Sequence, residues 1–377
     1  MLPLALPLNW QRVRLGDVCE IVKGQQINKI SLNNTDKYPV INGGIDFLGY
    51  TNKFNVSKNT IAISEGGTCG YVRFMTSNFW SGGHNYSLQK ISNKVNNLCL
   101  YHILKSYEKD IMKLGVGSGL KNIQLKALKD FLIPLPPLNE QNAIANILSG
   151  LDRYLYALDA LILKKEGVKK ALSFELLSQR KRLKGFNQAW QRVRLGDIGK
   201  PCMCKRVMKH QTTRYGEIPF YKIGTFGNTA DAFISKKLFL EYKTKYSFPK
   251  KGDILISASG TIGRAVIYDG KPAYFQDSNI VWIDNDETLV KNDFLFYAYS
   301  NVKWNTEHTT ILRLYNDNFR NTLIPLPPLN EQIAIANILS ALDNEIASLK
   351  NKKRQFENIK KALNHDLMSA KIRVLEK

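Results

Sequence analysis

Ile133-Pro-Leu-Pro-Pro-Leu-Asn-Glu-Gln141 returns unchanged as Ile324-Pro-Leu-Pro-Pro-Leu-Asn-Glu-Gln332. Each copy follows turn-rich sequence and opens a long amphipathic segment. Its prolines remove backbone donors and bias the preceding residues away from the helical region. Residues 132–138 are therefore expected as an extended connector, neither helix nor central strand. Directly after it, Asn139 is the expected N-cap, and Glu140 suits the positive end of a helix dipole. Apolar residues then recur at Ile144, Leu148, Leu151, Leu155, Leu158 and Ile162, a heptad-like seam of alternating four- and three-residue steps. The spacing predicts a helix over 139–183, stopped by Gly185 and about 68 Å long at the α-helical rise.

The second connector launches the same plan from Asn330. Its seam is Ile335, Leu339, Leu342, Ile346, Leu349, Phe356, Ile359, Leu363 and Leu367. A narrow apolar stripe needs a partner, and the other copy supplies one. A second duplication lies upstream of each connector: Trp10-Gln-Arg-Val-Arg-Leu-Gly-Asp17 and Trp190-Gln-Arg-Val-Arg-Leu-Gly-Asp197. The chain is two copies of one unit, each running from a tryptophan start through a globular stretch into a helix. Between these anchors the two copies hardly match.

Within the globular stretches, 60–64, 70–74 and 86–89 in the first copy and 254–257, 265–268 and 280–283 in the second are short. They are rich in β-branched or aromatic residues and bounded by Gly, Asn and Ser, which predicts strands and turns; 94–113 reads as a helix. The expected architecture is α+β, with two globular domains joined by two long antiparallel, coiled-coil-like helices. Its boundaries are 1–136 for the first domain, 137–185 for the first spacer helix, 186–327 for the second domain and 328–377 for the second spacer helix.

Of the 377 residues, 44% are hydrophobic and 10% aromatic, which fits folded protein and not disorder. Lys and Arg number 54 against 32 Asp and Glu, a net charge of +22, and such a balance favours a polyanionic partner, above all nucleic acid. The alternative is a lysine-rich source that makes many of its proteins basic. No apolar run reaches the roughly 18 residues of a membrane span, and the start at residues 1–8, broken by Pro3 and Pro7, does not read as a signal peptide. Five cysteines, mostly scattered, imply no disulfide framework, and Cys202 and Cys204 lack a matching pair for zinc. A cytoplasmic, reduced protein is expected, with no metal site.

No catalytic constellation emerges. Nucleotide-phosphate and zinc-protease motifs are missing, and Gly115-Val-Gly-Ser-Gly119 fails the dinucleotide pattern at Leu120. Asp253 with Asp269 and Lys271 only loosely imitates a nuclease core, and His84, His102, His210, His308 and His365 have no ligand-like spacing. Binding signals are better. Asn and Gln can pair bidentately with adenine and Arg with guanine, while Gly lets backbone approach phosphate. In the first copy such residues are Ser64, Thr68, Tyr71, Arg73, His84, Asn85, Tyr86, Lys121, Asn122 and Gln124. In the second they are Ser257, Ser259, Thr261, Arg264, Gln276, Ser278, Asn279, Arg313, Tyr315, Asn316 and Arg320. Ordinary hairpin turns have a similar composition. Off the helical seams, Ile147, Tyr154, Leu161 and Ile338 are the candidates for a partner-binding surface.

The duplicated connector and the paired Trp-x-x-x-x-Leu-Gly-Asp starts make the chain resemble the specificity subunits of type I restriction–modification systems, over nearly its whole length. The resemblance implies that each variable unit is a target-recognition domain reading one half of a split, asymmetric DNA sequence. It implies that the helices are spacers that dock two methyltransferase subunits, with restriction and translocase subunits completing the complex. Methylation and cleavage, with their S-adenosylmethionine, ATP and magnesium sites, would belong to those partner chains, so no cofactor and no catalytic residue is expected here. The alternatives are a fused or standalone DNA methyltransferase or nuclease component, and a two-headed protein-binding scaffold.

Overall fold

The computed structural model describes residues 6–308 and 312–374; Met1 to Ala5 of the chain's start lie outside them. Two compact units form, one from Met1–Ala160 with Lys350–Lys377 and one from Leu161–Leu349. Each unit therefore combines a globular body with the first part of its own long helix and the last part of the other.

In each unit the two repeated motifs are one piece of structure. Gln11–Arg14 pairs antiparallel with Leu132–Leu135, placing Val13 opposite Ile133. Gln191–Arg194 pairs identically with Leu323–Leu326, placing Val193 opposite Ile324. The connector is thus extended, and it is also a strand. Both pairings are two-stranded ribbons, where a proline can turn its missing donor to the open edge.

Above the ribbon, the bodies match strand for strand. The first unit has an antiparallel sheet in the order Glu20–Lys23, Asn85–Gln89, Thr60–Ser64, Val72–Met75. The second repeats it with Gly199–Met203, Ile280–Asn285, Ile254–Ser257 and Ala265–Ile267. A smaller sheet follows the same rule: Gly49–Thr51, Tyr38–Ile41 and Trp80–Ser81 in one unit, Phe233–Ile234, Ile218–Tyr221 and Tyr274–Phe275 in the other, the last pair parallel in both. The sequences diverge while the topology does not. One addition distinguishes the second unit, the helix Lys236–Lys245, capped by the Ser235 hydroxyl on the Leu238 amide. The helix expected over 94–113 is present as two, Asn97–Ser106 and Glu108–Met112.

The long helices are Leu138–Leu177 and Leu329–Met368, 40 residues each, or about 60 Å. Asn139 lies inside the first turn, one residue after the helix begins at Leu138. The first helix also ends six residues earlier than the spacing predicts. Gln179 takes a left-handed conformation (φ 60) and its amide closes on the Leu176 carbonyl, so Gly185 falls in the link beyond. Local hydrogen bonding there outcompeted the glycine signal.

Inside each unit the helix segments run antiparallel. In the first, Lys360 bridges Asp152, Lys353 meets Asp159 at 2.6 Å, and the Tyr154 and Phe356 rings lie 4.7 Å apart. In the second, Lys165 meets Glu345 at 2.8 Å and Lys169 meets Asp343 at 2.5 Å. The cores take up the helix ends: Ile144, Leu148, Leu367 and Met368 join Ile61, Leu88 and Leu100 in the first unit. In the second, Ile335, Leu339, Leu176 and Leu177 join Ile254, Ile256 and Phe294. Burying each such side chain stabilises by about 1.5–3 kcal/mol. Two assignments change: Tyr154, expected off the seam, packs on Phe356, and the seam residue Ile359 is exposed.

Candidate nucleic-acid interface

The loops of each body hang on the joint between its two repeated motifs. Trp10 Nε1 donates to Glu140 Oε2 at 3.0 Å, and Trp190 Nε1 donates to Glu331 Oε2 at 3.0 Å. Arg373 and Arg182, each just past the end of a long helix, close a fork on the same carboxylates at 2.8–3.0 Å. Beside them, Gln141 accepts from the Asn96 amide and donates to the Lys94 and Pro136 carbonyls; Gln332 does the same with Lys291, Leu289 and Pro327. A buried carboxylate and amide with every polar atom engaged fix the joint and leave nothing over for chemistry.

The structure uncovers a third repeat. Ile63-Ser-Glu-Gly-Gly-Thr-Cys-Gly70 and Ile256-Ser-Ala-Ser-Gly-Thr-Ile-Gly263 form the same turn at the end of the same strand. The amides of Gly70 and Gly263 donate to Ser64 and Ser257 at 2.8 and 2.9 Å. Both glycines are left-handed, at φ 84 and 82, and a Cβ on Gly263 would fall 2.1 Å from Trp304 Nε1. Two further loops meet this turn in each unit. Glu65 bonds His84 and Ile123 through its backbone; Ala258 bonds Asn279 and Leu314 in the equivalent way. The candidates at 64–68, 84–86 and 121–124 are thus brought together, as are those at 257–261, 276–279 and 313–316.

Not all of them point outward. Ser64, Asn85, Tyr86, Ser257 and Ser259 are buried, because they close the turns from inside. Asn85 donates to the Ser81 hydroxyl at 2.9 Å, and Tyr86 donates to Glu65 at 3.1 Å and the Ile123 carbonyl at 2.9 Å. Ser257 holds the Thr261 carbonyl, and Ser259 donates to Asn279 Oδ1 at 2.6 Å. Arg73 is tied to the 43–47 loop: it reaches the Gly44 and Ile45 carbonyls and stacks over Phe47 and Tyr71. Tyr71 also carries the Lys105 ammonium 4.2 Å over its ring. These seven are framework.

Exposed at the convergence are His84, Lys121, Asn122 and Gln124 in the first unit, with Thr68 half-buried. In the second unit Arg264 and Arg320 are exposed outside the three loops, Arg320 against Gly196 of the repeated start; exposed at the convergence are Thr261, Tyr315 and Asn316, with Gln276, Ser278, Asn279 and Arg313 half-buried. The last four line a cleft of about 460 Å³ with Arg206, Lys209 and Lys222. Composition did not single out these three cations, although the run Lys205-Arg-Val-Met-Lys-His210 carries Arg206 and Lys209. Asp253, by contrast, is buried and accepts from the Lys250 amide at 2.7 Å, and Asp269 bonds the Lys271 amide. Among the described residues no three His, Cys, Asp or Glu side chains group as metal ligands, and no helix is long and apolar enough to cross a membrane.

On the long helices Ile147 and Leu161 are exposed, Ile338 is half-buried and Tyr154 is not available. Tyr156 and Leu163, outside the expected set, are 78% and 73% exposed.

The model of the type I restriction modification DNA specificity domain matches residues 7–165 and again 187–358. A Haemophilus influenzae protein named as a type I restriction enzyme specificity subunit is 40% identical over 323 residues, covering 80% of this chain and 81% of its own. The MjaVIII specificity subunit of Methanocaldococcus jannaschii is 26% identical over 408 residues, covering 98% and 95%. In fold, the chain is similar to a type I restriction–modification S subunit from M. genitalium, with a TM-score of 0.69 and 24% identity across 97% of this chain and 99% of that one.

Proposed function

The chain belongs to the type I restriction–modification DNA specificity family, as a subunit with two target-recognition domains, and we propose that each domain reads one half of an asymmetric, two-part DNA site. The carrying observation is one turn framework presenting different side chains: Gly82, His84 and Asn122 in the first unit stand where Gln276, Asn279 and Arg313 stand in the second. A shared frame sets how the loops meet the duplex, and the exchanged side chains set which bases they accept. The net charge of +22 supplies sequence-independent attraction to phosphate.

In this reading the polypeptide is a non-catalytic adaptor in the cytoplasm. Residues 1–136 and 186–327 recognise DNA, and 137–185 and 328–377 serve as spacers that dock two methyltransferase subunits, which restriction and translocase subunits join. S-adenosylmethionine, ATP and magnesium are bound by those partners. The test is to express the chain with its modification subunits in a methylation-free host and map modified bases. A two-part motif that vanishes when this chain is omitted supports the proposal; a motif that persists without it, or methyl transfer by the purified chain alone, refutes it.

A further inference from the structure

The second unit's cleft has a polarity that its composition hides. Gln276 Oε1 accepts from the Ile223 amide at 2.9 Å. A backbone N–H can only donate, so this fixes which end of the amide is which: the oxygen is engaged and the NH₂ is left over. Asn279 Oδ1 accepts from the Ser259 hydroxyl at 2.6 Å, a weaker constraint, since a hydroxyl both donates and accepts. The one carboxylate present, Asp277, accepts from Arg206 Nε at 2.8 Å. Lys222 is paired with Asp231, while Lys209 and Arg313 carry no ion pair among the described residues. Between the two amides, Ser278 holds a left-handed backbone at φ 54, a conformation that non-glycine residues keep mainly where surrounding structure demands it.

Amides whose oxygens are already engaged inside the protein lead with their NH₂ groups, which disfavours the donor-plus-acceptor pair that recognises adenine. They suit an edge that offers acceptors alone, and guanine presents two adjacent ones, N7 and O6, in the major groove. Arginine's planar fork matches the same pair. We propose that this cleft, through Arg313 with Gln276 and Asn279, binds the major-groove edge of a guanine in the half-site read by the second unit. The proposal rests on the two-reader function above and adds the base class. The first unit cannot copy it, since Gly82 and Asn122 replace Gln276 and Arg313.

Phosphate oxygens also offer acceptors only, so the test must separate base from backbone. With the second half-site mapped, the full chain assembled with its modification subunits is titrated against duplexes carrying 7-deazaguanine at each guanine in turn. A parallel set carries methylphosphonate at each linkage. One 7-deazaguanine position should weaken binding about tenfold to a hundredfold, and the same position should cost nothing further in Arg313→Ala. Gln276→Glu keeps the bond to Ile223 and turns the donor into an acceptor, so it should lose preference at that one position and leave the first half-site intact. A half-site without guanine, indifference to every 7-deazaguanine, or sensitivity to methylphosphonate alone would overturn the inference. A two-part motif surviving any of those results would leave the proposed function standing.

Discussion

Trp10 donates its indole N–H to a carboxylate oxygen of Glu140, 130 residues away, across 3.0 Å. Trp190 and Glu331 repeat the bond at the same distance. The two motifs most conspicuous in the sequence thus meet in space. Repetition here marks the joint, and divergence marks the reading surface.

The joint should be energetically coupled. Glu140→Ala leaves the buried Trp10 N–H without its acceptor, expected to destabilise the first unit by about 1–3 kcal/mol. In a double-mutant cycle of Trp10→Phe with Glu140→Gln, urea unfolding should give an interaction term of at least 0.5 kcal/mol or so. Strict additivity would show that the bond contributes nothing.

Acid should loosen the first unit through His102. Its ring is buried, and burial pushes its pKa down to about 4; the Asp152 charge 4.0 Å away pulls upward and Lys360 pushes down, without changing the result. The folded value lies below the ordinary 6.5, so the unfolded chain binds the proton more readily. Stability from this group is complete above pH 6.5 and is lost as pH falls toward 4, by roughly 3 kcal/mol at most. His102→Leu should flatten the dependence in that window; an unchanged slope would contradict the assignment.

Core packing at the helix root should matter more than any surface loop. Leu148 is fully buried among residues of the first unit's core. Leu148→Ala is expected to cost about 2–5 kcal/mol, read as a lower urea midpoint, whereas Lys121→Ala should leave the midpoint unchanged and weaken DNA binding.

Exposed Ile147 and half-buried Ile338 on the long helices bear on assembly. Ile147→Lys with Ile338→Lys should abolish recruitment of modification subunits while both units stay folded, checked by circular dichroism and co-purification. Two partners bound with undiminished affinity would move the docking surface elsewhere, with Tyr156 and Leu163 next to examine.

Much of this fold was legible because repeats and heptads are periodic signals. The extended connector, the seam through Ile144 and Leu148, and the strands near 60–64 and 254–257 follow from proline chemistry, periodicity and β-branched runs, whereas the pairing of the connector with residues 11–14 does not. Helix ends were not legible: whether Gln179 or Gly185 stops a helix depends on backbone bonds that composition does not encode. The site was half legible. Turn-forming polar residues pointed to loops that converge in the fold, yet the same chemistry that suits base contact also closes turns, so Asn85 and Ser257 face inward, and Arg206 and Lys209 stand outside the residues that composition singled out. The shared turn at 63–70 and 256–263 was hidden by substitutions at three of its eight positions.

The central claim is that the two units read independently. Residues 190–323 are exchanged for the equivalent domain of a relative with a different target, and the methylated motif is mapped by single-molecule sequencing in a methylation-free host. The account expects one half of the motif to change and the other to stay identical. A motif altered in both halves, or in neither, would contradict it.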